Sequence, residues 1–340
     1  MFTANESRYA NMPYAASGKS GLMLPKISLG LWQNFGSNDS FDNMRAMLRT
    51  AVDAGITMLD LANNYGPVGG SAEENFGSIF KKDLAPYRDE LLISSKAGYF
   101  MWNGPYGDGG SRKYLMASVD QSLKRTGLEY FDIFYHHRMT PETPLEETMG
   151  ALASIVASGK ALYVGLSNYD GETAKRAAAI LDELHCPFVI CQNRYSMLDR
   201  AIEENGLLDF CEENGKGIIA FSPLAQGLLT SRYLKGIPEG SRIAKAEKTN
   251  SGFLRQNMLT PERITQINEL NDIAAARGQT LAQLALSWVL DCKAVTSVLI
   301  GASSPAQITE NAAVAAAAPL TFDEREAIEA AVSKGGRLQR

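Results

Sequence analysis

The sequence predicts an α/β fold: a (β/α)8 TIM barrel preceded by a β-hairpin and followed by extra C-terminal helices. Three observations carry this. Eight short apolar runs alternate with helical patterns along the 340 residues. Polar residues gather where several of those runs end, which is where α/β barrels place their chemistry. The chain also exceeds the ~250 residues of a plain barrel, leaving room for additions. One domain spanning residues 1–340 is expected.

The strand-like runs are Ile27–Gly30, Thr57–Leu61, Leu91–Ser95, Phe131–His136, Ala161–Leu166, Phe188–Gln192, Gly217–Phe221 and Ser297–Ile300. Before them, the glycines of Ser17-Gly18-Lys19-Ser20-Gly21 suit a tight hairpin turn. Between them, Met44, Met47, Leu48, Ala51 and Val52 share one helix face, as do Leu145, Thr148, Met149, Leu152, Ile155 and Val156. Ser71-Ala-Glu-Glu74 and Thr321-Phe-Asp-Glu324 read as capping boxes. Ser304-Pro305 and Thr260-Pro261 read as N-caps followed by proline in the first turn. The polar stretch Gly227–Leu259, with Lys235, Arg242, Lys245 and Lys248, reads as an excursion over the barrel mouth. An open doubly wound sheet is the runner-up, but it usually has fewer strands, and no GxGxxG follows a strand.

Composition narrows the class. Charged residues at 21% and hydrophobic ones at 45% are ordinary for a globular enzyme. A net charge of -5 argues against nucleic acid or an anionic membrane as partner. The four cysteines, Cys186, Cys191, Cys211 and Cys292, lack CxxC spacing and read as reduced buried thiols. With no run suited to a signal peptide or a membrane span, a cytoplasmic protein is expected. Three histidines and no Cys/His cluster argue against a metal.

The chemistry concentrates at consecutive strand ends. The apolar run Ile56-Thr57-Met58-Leu59 gives way to Asp60, Asn63, Asn64 and Tyr65. The next run leads into Lys96, the next into His136-His137-Arg138, and the next into Ser167-Asn168. A phenol normally titrates near ~10. Lys96 beside Tyr65 is expected to lower that value, and Asp60 to compensate the buried ammonium. A histidine could orient a carbonyl, and adjacent strand residues face opposite sides, so one of the pair faces the barrel. Singly, Asp60 and the asparagines read as turn residues and Lys96 as a snorkelling side chain. Their spacing across three strands is what makes a site. A Schiff-base role for Lys96, as in an isomerase or aldolase, is a separate reading. Anions could bind at Gly301-Ala302-Ser303-Ser304-Pro305, at a helix start, with Ser222–Gly227 as the other wall.

These residues resemble the aldo-keto reductases. Asp60, Asn64-Tyr65-Gly66, Lys96, His137, Ser167-Asn168, Gln192 and Ile300-Gly301-Ala302-Ser303 carry the likeness in order, from about Leu29 to Asn311. Leu29-Gly30-Leu31-Trp32, Gly110-Ser-Arg-Lys-Tyr114 and Ser222–Leu229 are similar to one subgroup. It holds the potassium-channel β subunits and bacterial L-glyceraldehyde 3-phosphate reductases. The resemblance implies NADPH-dependent reduction of small aldehydes, such as L-glyceraldehyde 3-phosphate or methylglyoxal. Tyr65 would be the general acid, tuned by Lys96 and Asp60, with His137 orienting the carbonyl. His137 is chosen over His136 because it stands five residues after Asp132, and the channel subunits carry asparagine there.

NADPH would lie across the barrel mouth. Its nicotinamide would stack near Tyr195 or Phe221, over Trp32 and Asp60, held by Ser167, Asn168 and Gln192. Its diphosphate would meet Ser222, Pro223, Leu224 and Gln226, with Arg232 and Arg242 from the long loop. Gly301, Ser303, Gln307, Glu310 and Asn311 would meet the adenosine end. Ser303-Ser304-Pro305 stands where many members carry an arginine for the 2′-phosphate. Trp32, Tyr65, Met101, Trp102 and His137, with Tyr99, would line the substrate pocket, and Arg112, Lys113 or Arg138 could meet an anionic substrate. Members of that subgroup form tetramers or larger rings such as octamers, while the sequence itself sets no oligomeric state. The alternative is an NADPH-holding redox sensor with slow turnover.

Overall fold

A computed structural model describes residues 2–238 and 258–338. Strands β1 (Tyr14–Ala16) and β2 (Met23–Pro25) form an antiparallel hairpin. Eight strands then close a barrel: β3 (Ile27–Gly30), β4 (Met58–Asp60), β5 (Leu92–Ala97), β6 (Phe131–His136), β7 (Ala161–Ser167), β8 (Phe188–Arg194), β9 (Gly217–Phe221) and β10 (Val295–Ile300). All pair in parallel in chain order, and β10 returns to β3. The predicted barrel is therefore the observed one.

Several strands run further than their apolar stretches. Lys96 and Ala97 still pair with Tyr135 and His136, and Ser167 pairs with Gln192. The polar residues expected just beyond the strands are thus their last rungs. The apolar run stops when side chains must face the mouth, but the backbone ladder continues and holds them rigidly.

Two apolar layers hold the barrel. Inside it, Met58, Ile133, Tyr135, Ile190, Ile219 and Leu299 pack with Leu22 and Leu24 of the hairpin. The hairpin sits at the strand starts, where Ser17 Oγ donates to the Val189 carbonyl and the Lys19 amide to that of Gly215. It plugs the N-terminal end and leaves the other end to form the mouth. The Tyr135 ring fits because position 165 is glycine; a Cβ there would lie 2.3 Å from the ring. Outside the strands, the helix Phe41–Asp53 buries Met44, Met47, Leu48, Ala51 and Val52, the face its spacing indicates. The helix Leu145–Ala157 buries Thr148, Met149, Leu152 and Ile155, with Leu145 and Val156 partly buried.

Helix starts hold one surprise. Thr321 and Glu324 form the expected capping box, and Ser304 and Thr260 cap as expected. Thr280 and Gln283 make another box. Ser71-Ala-Glu-Glu74 does not cap its helix. The N-cap of Ser71–Ile79 is Gly70, at φ 93°, and Ser71 lies inside the first turn. Glu73 is instead turned onto the barrel wall, accepting from Ser95 Oγ at 2.6 Å and from Arg125 Nε at 2.7 Å. The helix begins one residue earlier than the box requires, so Ser71 stands at its first position and cannot cap it.

The excursion after β9 begins by burying Leu228, Leu229 and Tyr233. Arg242, Lys245 and Lys248 lie outside the described residues. Among the described residues, Cys186, Cys191 and Cys211 are buried thiols, and no helix is long and apolar enough to cross a membrane.

One ion cluster ties the first helix to the turn before β5. Asp83 is fully buried and accepts from both Arg45 (2.6 and 2.9 Å) and Arg49 (2.8 and 3.0 Å). The Arg45 bond, with Arg49 beside it, holds the Asp83 carboxyl well below the usual carboxylate range. A lowered folded value means stability present above the unfolded value near 3.8 and lost as pH falls through the folded one. Asp83→Asn should lower unfolding free energy by ~1.5–3 kcal/mol in urea melts at neutral pH. A change near zero would mean that the arginines are equally satisfied by water.

Candidate active site

The site begins with a buried charge. Asp60 ends β4 and stands in register with Ser94 of β5; two residues on, Lys96 faces the same way. Both Asp60 and Lys96 are wholly inaccessible to solvent. Every hydrogen-bonding need of the pair is met. Asp60 Oδ2 accepts from Lys96 Nζ at 2.5 Å, and Oδ1 accepts from Ser94 Oγ at 2.6 Å and Gln192 Nε2 at 3.0 Å. Lys96 Nζ also donates to the Leu61 carbonyl at 2.7 Å and to Tyr65 Oη at 3.2 Å.

An ammonium has three protons, and all three are directed here. Two consequences follow. Lys96 Nζ is wholly buried and committed to three acceptors, so it is placed to hold Asp60 and Tyr65 rather than to meet a carbonyl. Tyr65 Oη accepts from Lys96, so its own proton is left to face the mouth.

Electrostatics correct one expectation. Burial, with the Asp60 charge next, pushes the Tyr65 phenol well above its ordinary value rather than below it. Burial also pulls Lys96 down, with Asp60 opposing. The phenol is therefore firmly protonated at neutral pH.

The two histidines divide as their strand positions require. The His137 ring lies edge-on to Tyr65 and Tyr99, with centroids at 5.9 and 4.7 Å. His136 faces outward, where its Nδ1 is 2.6 Å from Tyr169 Oη. Burial lowers both, and Lys96 adds to the effect on His137; His136 falls to about 3. Both rings are neutral at pH 7, so His137 can donate one N–H without carrying charge.

The remaining predicted residues form the rim. Trp32 is half-buried with its ring 6.4 Å from that of Tyr65. Met101 is half-buried against the core, and Trp102 packs on Tyr114 at 5.1 Å. Asn168 adopts left-handed backbone (φ 58°) and donates to the His137 carbonyl at 3.0 Å and to Ser167 Oγ at 3.2 Å. Phe221 ends β9, half-buried. Tyr195 is not available for stacking: it is buried against Trp288 at 5.0 Å and bonded to Glu203.

After Phe221 the backbone is strained. Ser222, Ala225 and Gln226 have φ of 54°, 47° and 63° although none is glycine, and Gln226 Nε2 reaches Ser222 Oγ at 3.0 Å. Each such residue costs on the order of 1–3 kcal/mol, and such strain clusters at ligand clamps. Pro223 is buried beneath this turn, Leu224 is half-buried in it and Arg232 is exposed beyond it. After β10, Gly301 is exposed, and Gln307 Oε1 accepts from the Ser303 amide at 2.9 Å and from Ser303 Oγ at 3.1 Å. Asn311 is buried, while Glu310 is bonded to Thr280. Arg242 lies outside the described residues.

Sequence reasoning gave Ser94 no role, read Asn63 as a turn residue and took Tyr114 only as part of a family-like motif. Ser94 shares the Lys96 face, so the two-residue alternation contained the signal. Asn63 Nδ2 donates to Tyr114 Oη at 3.0 Å, which donates to the Tyr99 carbonyl, tying the Tyr65 loop to the Tyr99 loop. No local pattern announces that link.

Comparison with known proteins agrees with this geometry. The model of the aldo/keto reductase family matches residues 26–333. The chain is similar to L-glyceraldehyde 3-phosphate reductase of Escherichia coli (strain K12), 55% identical over 326 residues that cover 96% of this chain and 93% of that one. It is 34% identical over 315 residues to a probable voltage-gated potassium channel subunit beta of Oryza sativa subsp. japonica, covering 92% and 94%. A holo-form aldo-keto reductase from Bacillus halodurans superposes with TM-score 0.76 at 26% identity, over 97% of this chain and 99% of the other.

Two outcomes are expected. Lys96→Met, which strands the Asp60 charge, should cost ~3–5 kcal/mol, whereas the double variant Asp60→Leu/Lys96→Met should be more stable than the Lys96→Met single. Denaturant melts of the single and double variants measure this, and strict additivity would contradict it. Because His136 and His137 are neutral in the fold, the unfolded chain binds more protons below about pH 6.5. Stability should therefore decline as pH falls from there toward 3, less steeply in His136→Gln.

Proposed function

The chain belongs to the aldo/keto reductase family, and from that membership we propose that it reduces L-glyceraldehyde 3-phosphate, and short aldehydes such as methylglyoxal, to alcohols with NADPH. The family works with a nicotinamide cofactor, NAD(P)H; the choice of NADPH is part of the proposal. The phosphorylated substrate follows the name of the Escherichia coli relative.

The observation that carries the reading is the Lys96 donor set. With Lys96 Nζ bonded to Asp60, to the Leu61 carbonyl and to Tyr65 Oη, the phenolic proton is directed toward the mouth. Tyr65 then acts as the general acid. As the carbonyl carbon is reduced, its oxygen becomes alkoxide-like and strongly basic, and it draws the phenolic proton as it forms. Lys96 stabilises the phenolate left behind, Asp60 holds Lys96 in place, and neutral His137 orients the carbonyl by hydrogen bonding. Trp32, Met101 and Trp102 exclude water around the reacting carbon.

The residues present fit the cofactor. Ser167, Asn168 and Gln192 offer amide and hydroxyl partners to a carboxamide, and Phe221 offers a ring face. The left-handed turn Ser222–Gln226, with Pro223 beneath it and Arg232 near it, suits a diphosphate. Gly301, Ser303, Gln307, Glu310 and Asn311 at the helix Pro305–Ala312 would meet the adenosine end. When bound, reduced nicotinamide supplies the hydride equivalent.

Tyr65→Phe should bind NADPH like wild type, by fluorescence titration, yet lose at least ~100-fold in turnover of L-glyceraldehyde 3-phosphate. Unchanged turnover would sink the general-acid role. Tight NADPH binding with only slow single turnover on every aldehyde would replace the reductase with a redox-sensing subunit.

A further inference from the structure

We propose that Arg138 is the residue that recognises the phosphate of the substrate, and that Asp108 occupies its guanidinium until the substrate arrives; this rests on the reductase reading above. The reaction at Tyr65 requires only a carbonyl. A phosphorylated aldehyde presents, in addition, a dianion a few bonds away. A cationic side chain at that distance in the barrel mouth would recognise the phosphate directly.

Three cations stand on the neighbouring segments, and geometry separates them. Arg112 lies in the first turn of the helix Arg112–Thr126, and its Nη1 donates to the Gly150 carbonyl, toward the outer helices. Lys113 lies over the exposed Tyr106 ring at 5.3 Å. Arg138 directly follows His137, and its Nε donates to the Gly98 carbonyl at 2.8 Å. Its Cζ lies 4.9 Å from the Tyr99 centroid, and that ring is itself 4.7 Å from the His137 ring. One aromatic ring therefore separates the guanidinium from the imidazole. With a hydrogen bond of ~2.8 Å at each end, a three-carbon aldehyde phosphate has about the length to reach from one to the other.

The guanidinium is held in place and already paired with an anion. Arg138 Nη2 donates to Asp108 Oδ1 at 2.9 Å, and the two side chains are 35% and 46% exposed. A pair this exposed is worth little, so a competing ligand can break it. Phosphate is the stronger partner: it carries more charge and can accept two parallel N–H bonds from one guanidinium. Asp108 sits between Gly107 and Gly109, the latter at φ 89°, in a loop that also contains Gly104 and Gly110. Asp108 thus stands where the phosphate would go, on a segment rich in glycine.

The test compares L-glyceraldehyde 3-phosphate with L-glyceraldehyde, which differ only in the phosphate. The readout is the ratio of their kcat/KM values in wild type, Arg138→Gln, Arg138→Lys and Asp108→Asn, with NADPH saturating. Arg138→Gln should lower that ratio about 100-fold, mostly through KM for the phosphate ester. Arg138→Lys should recover part of the loss, because charge returns without the fork. Asp108→Asn should raise the ratio by removing the internal competitor. A ratio equal to wild type in both Arg138→Gln and Asp108→Asn would overturn the inference while leaving the reductase intact. Wild-type protein that reduces neither aldehyde would overturn the reductase reading itself.

Discussion

Two opposite charges sealed from water at the carboxyl end of β4 and β5 are the constraint on which the rest of the site depends. Burying a carboxylate and an ammonium costs several kcal/mol per ion, recovered only when geometry and further hydrogen bonds are excellent. Here Ser94, Gln192 and the Leu61 carbonyl supply those bonds, and they come from three different strand ends. The barrel is what makes this possible. Parallel strands in fixed register bring Asp60, Ser94, Lys96 and Gln192 inward beneath the mouth, and the hairpin closes the opposite end with Leu22 and Leu24.

From that pair the protonation states of the mouth follow. Burial disfavours charge on every group near it, so Tyr65 rises, and His136 and His137 fall. The one group left with a proton to give, beside a cation that can hold the resulting anion, is the phenol. A phenol shifted this way gives its proton to a strongly basic oxygen, such as the one that develops as a carbonyl is reduced.

Much of this was legible in the sequence, and the failures are instructive. The barrel strands are short apolar runs bounded by polar residues, so their existence and order could be read directly. Their C-terminal edges could not, because Lys96 and Ser167 remain in the ladder after hydrophobicity ends. That Asp60, Tyr65, Lys96 and His137 would meet was legible through spacing and family likeness together. Ser94 was missed although its two-residue spacing from Lys96 placed it on the same strand face; the spacing gains chemical meaning once Asp60 is seen across the ladder. The Ser71 cap failed because Gly70, in a left-handed conformation, starts the helix one residue earlier. The expected direction of the Tyr65 shift was wrong because proximity to Lys96 can be guessed from sequence, whereas depth of burial cannot. The choice of Arg138 over Arg112 and Lys113 likewise needed the positions of Tyr99 and Gly98.

The central claim is that Tyr65 holds its proton, pointed at the mouth, while Lys96 is committed to Asp60. The most direct measurement is an NMR titration of Tyr65 in protein labelled at the tyrosine Cζ position, with Tyr65→Phe identifying its signal. The account predicts a Tyr65 resonance that stays at its protonated shift past pH 10, the ordinary value for a phenol. A resonance that titrates near neutrality would contradict it, and would mean that Lys96 rather than burial sets the phenol's acidity.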